Sequence, residues 1–140
     1  MANRTAQTGF TLIELLVVMF IIGLLVALVA PNILGRTDKA KIEAARAQIA
    51  NLGMALDMFK LDVGRYPTSQ EGLEALRRCP SGIMSCSGPY LKKEVPPDPW
   101  GKPYVYRSPG EREPYELESY GADGVAGGAG ESSDLRSWEG

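Results

Sequence analysis

Gly9-Phe10-Thr11-Leu12-Ile13-Glu14-Leu15 opens an apolar run that continues to Ala30, and the rest of this 140-residue chain reads as cargo on that stem. Between Phe10 and Pro31 the only charge is Glu14, in a background of Leu, Ile, Val, Met, Phe and Ala with the single Gly23. As a helix, such a run is long enough to span a bilayer core of ~30 Å. A carboxylate in hydrocarbon costs at least a few kcal/mol, roughly, and persists where it finds a partner. Met1 to Gly9 is short and polar, carries Arg4, and has no apolar region of its own, whereas an ordinary secretory signal keeps its apolar region ahead of the cut. A cut after Gly9 would instead leave the apolar segment on the mature chain, with Phe10 as its new N-terminus.

Gly-Phe-Thr-Leu-Ile-Glu resembles the type IV prepilin signal, with glycine, aromatic and glutamate in the family's places. The resemblance implies cleavage between Gly9 and Phe10 by a prepilin peptidase and N-methylation of Phe10. It also implies an assembly role for Glu14. An amine on Phe10 would sit about one turn from Glu14 on the same helix and satisfy it poorly, so the terminus of a neighbouring copy is the better partner. The alternative is a plain signal anchor whose Glu14 reaches up to the interface.

Beyond the stem about 110 residues remain, enough for one compact domain and too few for two. The expected division is a leader at 1–9, a transmembrane or filament-core helix at 10–30, and a head at 31–140 that includes the amphipathic half of the stem. The formal charge of −2 is unevenly spread. Arg36 to Lys60 carries five basic and three acidic residues, and Glu111 to Gly140 carries eight acidic and two basic. A basic stem with an acidic distal end suits packing of identical subunits, and a merely solvated acidic surface is the alternative. No basic patch interleaves with aromatics, so nucleic acid is not an expected partner.

Pro31 and Gly35 interrupt the helix and predict a kink or a melted stretch. From Thr37 the period resumes: Ile42, Ala45, Ile49, Leu52, Leu56, Phe59 and Val63 form one apolar face. Ala47, Ala50, Met54, Met58 and Leu61 form a second, weaker stripe, left either for neighbouring stems or for burial within the same head. From Phe10 to Asp62 the element would span about 80 Å at 1.5 Å per residue. Gly64 and Pro67 end it. Thr68 and Glu71 then make a capping box ahead of a short second helix through Leu73 and Leu76.

Cys79 and Cys86 lie in a turn-rich loop that an oxidising compartment would join as a disulfide, with two free thiols as the alternative. Metal binding by this pair does not fit, because the spacing is loose and the chain has no histidine. Pro96 to Tyr104 excludes helix, and its Asp98-Pro99-Trp100-Gly101 core favours a tight turn that tucks the indole onto the domain. Tyr104-Val105-Tyr106 and Tyr115 to Tyr120 alternate like strands and should pair antiparallel across the stem. The expected class is α+β, a long N-terminal helix packed against a small antiparallel sheet.

Five further blocks narrow the resemblance to the major pseudopilins of the type II secretion system, within the pilin-like superfamily. They are Leu56 to Asp62, Arg65 to Thr68, Glu71-Gly72-Leu73, Asp98 to Gly101, and Ser119 to Gly124; the loop from Cys79 to Ser87 departs from the usual pattern. The resemblance implies a pilin-like fold with a structural calcium ion in a C-terminal loop. Asp123 and Asp134 would be its carboxylates, with carbonyls of Tyr120, Val125, Glu131 and Ser133 completing the oxygen shell that calcium needs. Without the resemblance, Asp123-Gly124 would read as a plain turn. Trp138 would pack the loop end onto the head.

No catalytic constellation is visible: there is no histidine, nucleophile elbow or phosphate loop, and a non-enzyme is expected. The resemblance implies a single-pass inner-membrane protein with a periplasmic head, polymerising into a helical filament, the pseudopilus, that drives folded proteins across the outer membrane. Minor pseudopilins, an inner-membrane assembly platform and the prepilin peptidase are the implied partners. A pilin of a type IV surface pilus is the nearer alternative, and a signal-anchored periplasmic domain the more distant one.

Overall fold

The computed structural model describes residues 9–139, except for the side chains of residues 29–36 and 131. The expected leader therefore lies outside the described residues apart from Gly9. Helix α1, Leu12–Val63, is followed by a short 3-10 helix at Leu73–Leu76 and strands β1 Val105–Arg107, β2 Glu116–Ser119 and β3 Leu135–Arg136. The chain divides into one unit ending at Thr37 and a second running from Asp38 to Gly140.

In the first unit the helix starts at a polar cap. Thr11 Oγ1 accepts a 3.3 Å hydrogen bond from the Glu14 amide, and the Thr11 carbonyl accepts one of 3.2 Å from Leu15. Leu12 to Leu28 is apolar apart from Glu14, and its large side chains are exposed throughout. Among the described residues no helix is long and apolar enough to cross a membrane. Leu12 to Leu28 rises about 26 Å at 1.5 Å per residue, and the run's last residues, Val29 and Ala30, lack described side chains. The break expected at Pro31 and Gly35 also falls outside the described side chains, and α1 is assigned as helix through both.

In the second unit the expected apolar face is the core. Ala45, Ile49, Leu52, Leu56 and Phe59 are buried, with Ile42 and Val63 half-buried at its ends. The second stripe is exposed: Ala47, Ala50, Met54, Met58 and Leu61 all face away from the core of their own head. The helix stops where the sequence places the stop. Gly64 adopts φ 85°, and its amide donates to the Lys60 carbonyl at 2.7 Å, the left-handed cap glycine accepts most easily.

Two packed layers make the core. Leu117, Tyr104 and Leu135 close over Ala45, Ile49 and Leu52, while Ala75 and Leu76 close over Ala55, Leu56 and Phe59. The capping box forms as expected. Glu71 Oε2 accepts from the Thr68 amide at 2.7 Å, and Thr68 Oγ1 accepts from the Glu71 amide at 3.2 Å. The helix it precedes is a single 3-10 turn. Cys79 and Cys86 are joined as a disulfide. Tyr90 fastens that loop to the end of α1: its ring meets Phe59 edge-on at 5.6 Å, and its hydroxyl donates to Asp62 Oδ2 at 2.7 Å.

The sheet departs from expectation in two ways. β1 and β2 pair antiparallel with Tyr106 opposite Leu117, as the alternation suggests, but β2 also pairs antiparallel with β3, through Glu118 opposite Arg136 and Ser119 opposite Leu135. β3 is too short to show alternation, so only pairing and the burial of Leu135 reveal it. Nor does β2 have a solvated face: Glu116 and Glu118 are buried along with Leu117 and Ser119. Glu116 Oε1 accepts from the amides of Glu111 and Arg112, each at 3.1 Å. The Glu118 carboxylate sits between Arg107 at 3.9 Å and Arg136 at 4.0 Å. Buried carboxylates persist when paired in this way.

Candidate functional site

Two regions hold the residues singled out from the sequence. The first is the start of α1. Gly9 and Phe10 precede the helix, Phe10 is 82% exposed, and Glu14 is an exposed carboxylate in the first turn. Along the helix Leu12, Ile13, Leu16, Phe20, Leu24 and Leu28 are each about half exposed or more. An apolar helix surface of this extent, uncovered by the chain itself, marks a surface for lipid or protein contact.

The second region is the loop that joins β2 to β3, entered at Tyr120 and left at Asp134. Asp123 is exposed, and its Oδ1 accepts from the Val125 amide at 3.1 Å. Asp134 is buried at the far end, beside the core residue Leu135. Its Oδ2 accepts from the Gly127 amide at 2.9 Å and pairs with Arg136 Nη2 at 3.0 Å. Its other oxygen, Oδ1, is buried with no hydrogen-bond partner. A buried carboxylate oxygen in that position calls for a donor or a cation. The carbonyl-bearing residues of the expected set lie along the same loop: Tyr120 and Val125 near its start, Glu131 within the 3-10 turn Gly130–Ser132, and Ser133 just before Asp134. Only the backbone of Glu131 is described. Among the described residues no cluster of three or more acidic, histidine or cysteine side chains forms, so any cation held here would rely on backbone oxygens.

Several residues around this loop carry parts that the sequence reading did not give them. Arg136 gathers Asp134, Glu118 and Glu139, and its guanidinium lies 5.7 Å from the centre of the Trp138 ring. These acidic neighbours, Glu139 foremost, raise its pKa above the ordinary arginine value. Asp98 is buried in the Asp-Pro-Trp-Gly turn, and its Oδ1 accepts from the amides of Trp100 at 3.1 Å and Lys102 at 2.8 Å. Its Oδ2 accepts from Ser119 Oγ at 2.6 Å, which ties the turn to the end of β2. The Lys102 ammonium donates to the carbonyls of Gly121 and Ala122 in the loop itself. The signal for the Asp98 arrangement was in the sequence, as an Asp two residues ahead of a Trp in a turn; the partner across the sheet was not.

Comparison with known proteins meets these two regions separately. A family profile described as the prokaryotic N-terminal methylation motif matches residues 4–30, and one described as type II secretion system (T2SS), protein G, matches residues 32–138. The type II secretion system core protein G of Pseudomonas aeruginosa is 46% identical over 98% of this chain and 99% of its own. That of Vibrio cholerae is 43% identical over 99% of this chain and 96% of its own. The crystal structure of the major pseudopilin from the type 2 secretion system of enterohaemorrhagic Escherichia coli superposes with a TM-score of 0.62 at 32% identity, covering 77% of this chain and 95% of that one. The methylation motif on the stem, the protein G profile over the head and relatives that match nearly end to end show that the chain belongs to the protein G family of the type II secretion system, the major pseudopilins.

Proposed function

We propose that this pseudopilin enters the inner membrane through residues 10–30, is cut between Gly9 and Phe10, and polymerises through the same segment into a periplasmic pseudopilus. Growth of that filament would push folded proteins towards the outer membrane. The observation that carries the reading is the uncovered apolar face of Leu12 to Leu28 with one carboxylate, Glu14, in its first turn. In a filament each apolar segment would pack against others, a heterologous contact that does not close on itself. Glu14 would meet the amine that cleavage creates on Phe10 of a neighbouring copy, removing the cost of a lone carboxylate in an apolar surround. The exposed stripe of Met54, Met58 and Leu61 is a separate apolar surface available to neighbours. The role is structural, and minor pseudopilins and an inner-membrane assembly platform are the other components it would engage.

The loop from Tyr120 to Asp134 would hold a structural calcium ion. The orphaned, buried Asp134 Oδ1 supports this, since an oxygen-rich loop with one unpaired carboxylate oxygen suits a hard cation. Asp123 and Asp134 would supply carboxylate oxygens and Tyr120, Val125, Glu131 and Ser133 carbonyls. The ion would supply cross-linking of a loop that has little packing of its own.

Co-expression with a prepilin peptidase, followed by intact-mass measurement, tests the processing. The expected product lacks Met1 to Gly9 and carries one added methyl group on Phe10. Glu14→Ala should be cut yet fail to assemble. An uncut chain would return the protein to a plain signal-anchored domain. Thermal unfolding with calcium and then with excess chelator tests the loop, because a ligand bound by the native state alone raises the midpoint. The difference should vanish in Asp123→Ala and Asp134→Ala; no difference in the unsubstituted chain would remove calcium from this reading.

A further inference from the structure

Lys102 closes a ring of polar contacts that runs from the Asp-Pro-Trp-Gly turn into the β2–β3 loop. The Lys102 amide donates to Asp98 Oδ1 at 2.8 Å, and its carbonyl accepts from the Asp98 amide at 2.7 Å, so the backbone of the lysine is fixed. Asp98 Oδ2 accepts from Ser119 Oγ at 2.6 Å, and Ser119 Oγ in turn accepts from the Gly121 amide at 3.3 Å. The ring is completed by the Lys102 side chain, whose ammonium donates to the Gly121 carbonyl at 3.4 Å and to the neighbouring Ala122 carbonyl. Asp98, Ser119 and Gly121 are buried, and Lys102 is half-buried.

The ammonium lies against the turn from within. Gly124 has φ 71°, and a Cβ at that position would stand 2.8 Å from Lys102 Nζ. The turn therefore lies close against the end of the Lys102 side chain, and the positive φ at Gly124 favours glycine there on backbone grounds. The two carbonyls that the lysine takes, those of Gly121 and Ala122, are not among the carbonyls expected to face calcium, which are those of Tyr120 and Val125 on either side. The lysine would hold the two inner carbonyls and the metal the two that flank them, so a positively charged group on the first set orients the second without competing for it.

We propose that Lys102 is a built-in cation that holds the Gly121–Gly124 turn with or without a metal and so preorganises the first half of the loop for calcium. The metal-binding part rests on the calcium reading above; the hold on the turn does not. An already ordered loop loses less conformational freedom when an ion binds, which raises affinity without any direct contact. Lys102 is thus a positioning residue.

Two measurements on the full chain in detergent micelles test this, using Lys102→Met and Lys102→Cys, the latter before and after alkylation with bromoethylamine to restore an ammonium at the same reach. The two native cysteines are paired, so the new thiol is the one that reacts. In chelator, amide hydrogen exchange over Ser119 to Ala126 should be slow in the unsubstituted chain, accelerate in Lys102→Met and in the untreated Lys102→Cys, and slow again after alkylation. Calorimetric titration with calcium chloride should show affinity about tenfold weaker in Lys102→Met, the scale of a typical coupling between sites. Unchanged exchange in Lys102→Met would overturn the hold on the turn. Calcium affinity that is unchanged would overturn the preorganising role, and tighter binding would do so as well by showing that the ammonium merely repels the ion. If the unsubstituted chain binds no calcium, the calcium reading falls and the preorganising role with it, while the exchange contrast still decides the hold on the turn.

Discussion

Asp98 and Ser119, 21 residues apart, meet through a 2.6 Å hydrogen bond from the serine hydroxyl to the carboxylate Oδ2, with both residues buried. The contact fixes the Asp-Pro-Trp-Gly turn to the last residue of β2 and lies at the root of the loop that follows. Asp98 also accepts the amides of Trp100 and Lys102, so one carboxylate satisfies three donors. Asp98→Ala should therefore cost about 3 kcal/mol or more, because it strands buried donors. Ser119→Ala, which removes one donor from a carboxylate that keeps two and takes the acceptor from the Gly121 amide, should cost about 1 to 2 kcal/mol. Thermal unfolding of both variants checks the order; equal costs would show that Asp98 does not act as the shared acceptor.

Glu71 links the capping box to Arg65 through bonds of 2.7 and 2.8 Å. That guanidinium, aided by the Thr68 amide, pulls the carboxyl pKa down to about 2 from the ordinary 4.5. A depressed folded-state pKa stabilises the fold above the unfolded value and loses that stabilisation as pH falls towards the folded one. Stability should decline between about pH 4.5 and pH 2 in the unsubstituted chain, with a flatter profile over that window in Glu71→Gln. At neutral pH the pair is partly exposed, so Glu71→Ala should cost about 1 kcal/mol, most of it from the lost cap. A parallel acid profile for Glu71→Gln would contradict the assignment.

The Cys79–Cys86 bridge closes a loop with a sequence separation of 7. For so short a loop the chain-entropy account gives about 2 to 3 kcal/mol. Cys79→Ser with Cys86→Ser should lower stability by that amount, leave the Phe59 core in place, and increase exchange at Ser87, whose amide donates to Tyr90. Reduction of the unsubstituted chain should reproduce the shift.

Opposite sides of the same helix should respond differently to truncation. Phe59 is fully buried, whereas Met58, its neighbour in sequence, is 57% exposed and Leu61 84%. Phe59→Ala should cost about 3 to 5 kcal/mol. Met58→Ala and Leu61→Ala should stay within about 0.5 kcal/mol of the unsubstituted chain. Any defect they cause should then appear in filament assembly, read by cross-linking or export, and not in the melting midpoint.

Much of the stem and head is legible in the sequence because the signals are local. The apolar run after Gly9, the three-four spacing from Ile42 to Val63, the glycine stop at Gly64 and the reciprocal pair of Thr68 and Glu71 each depend on residues within one or two turns of one another. The strands from Val105 and Glu116 were visible through alternation. β3 was not, since two residues carry no period, and Leu135 becomes a strand residue only because Ser119 and the core are already there.

The sequence by itself determined the topology of commitment: an apolar N-terminal segment with one carboxylate, a stem with a periodic face, and a turn-rich head rich in acidic residues. Periodicity and capping fix these because helix and turn energetics are set by near neighbours. Tertiary structure decided what each polar group does. It buried Glu116 and Glu118, left the methionine stripe uncovered, joined Asp98 to Ser119, placed the Lys102 ammonium on two loop carbonyls and left one Asp134 oxygen without a partner. Those outcomes depend on which groups the fold brings within about 3 to 4 Å, the range at which a buried charge or dipole is either satisfied or costly.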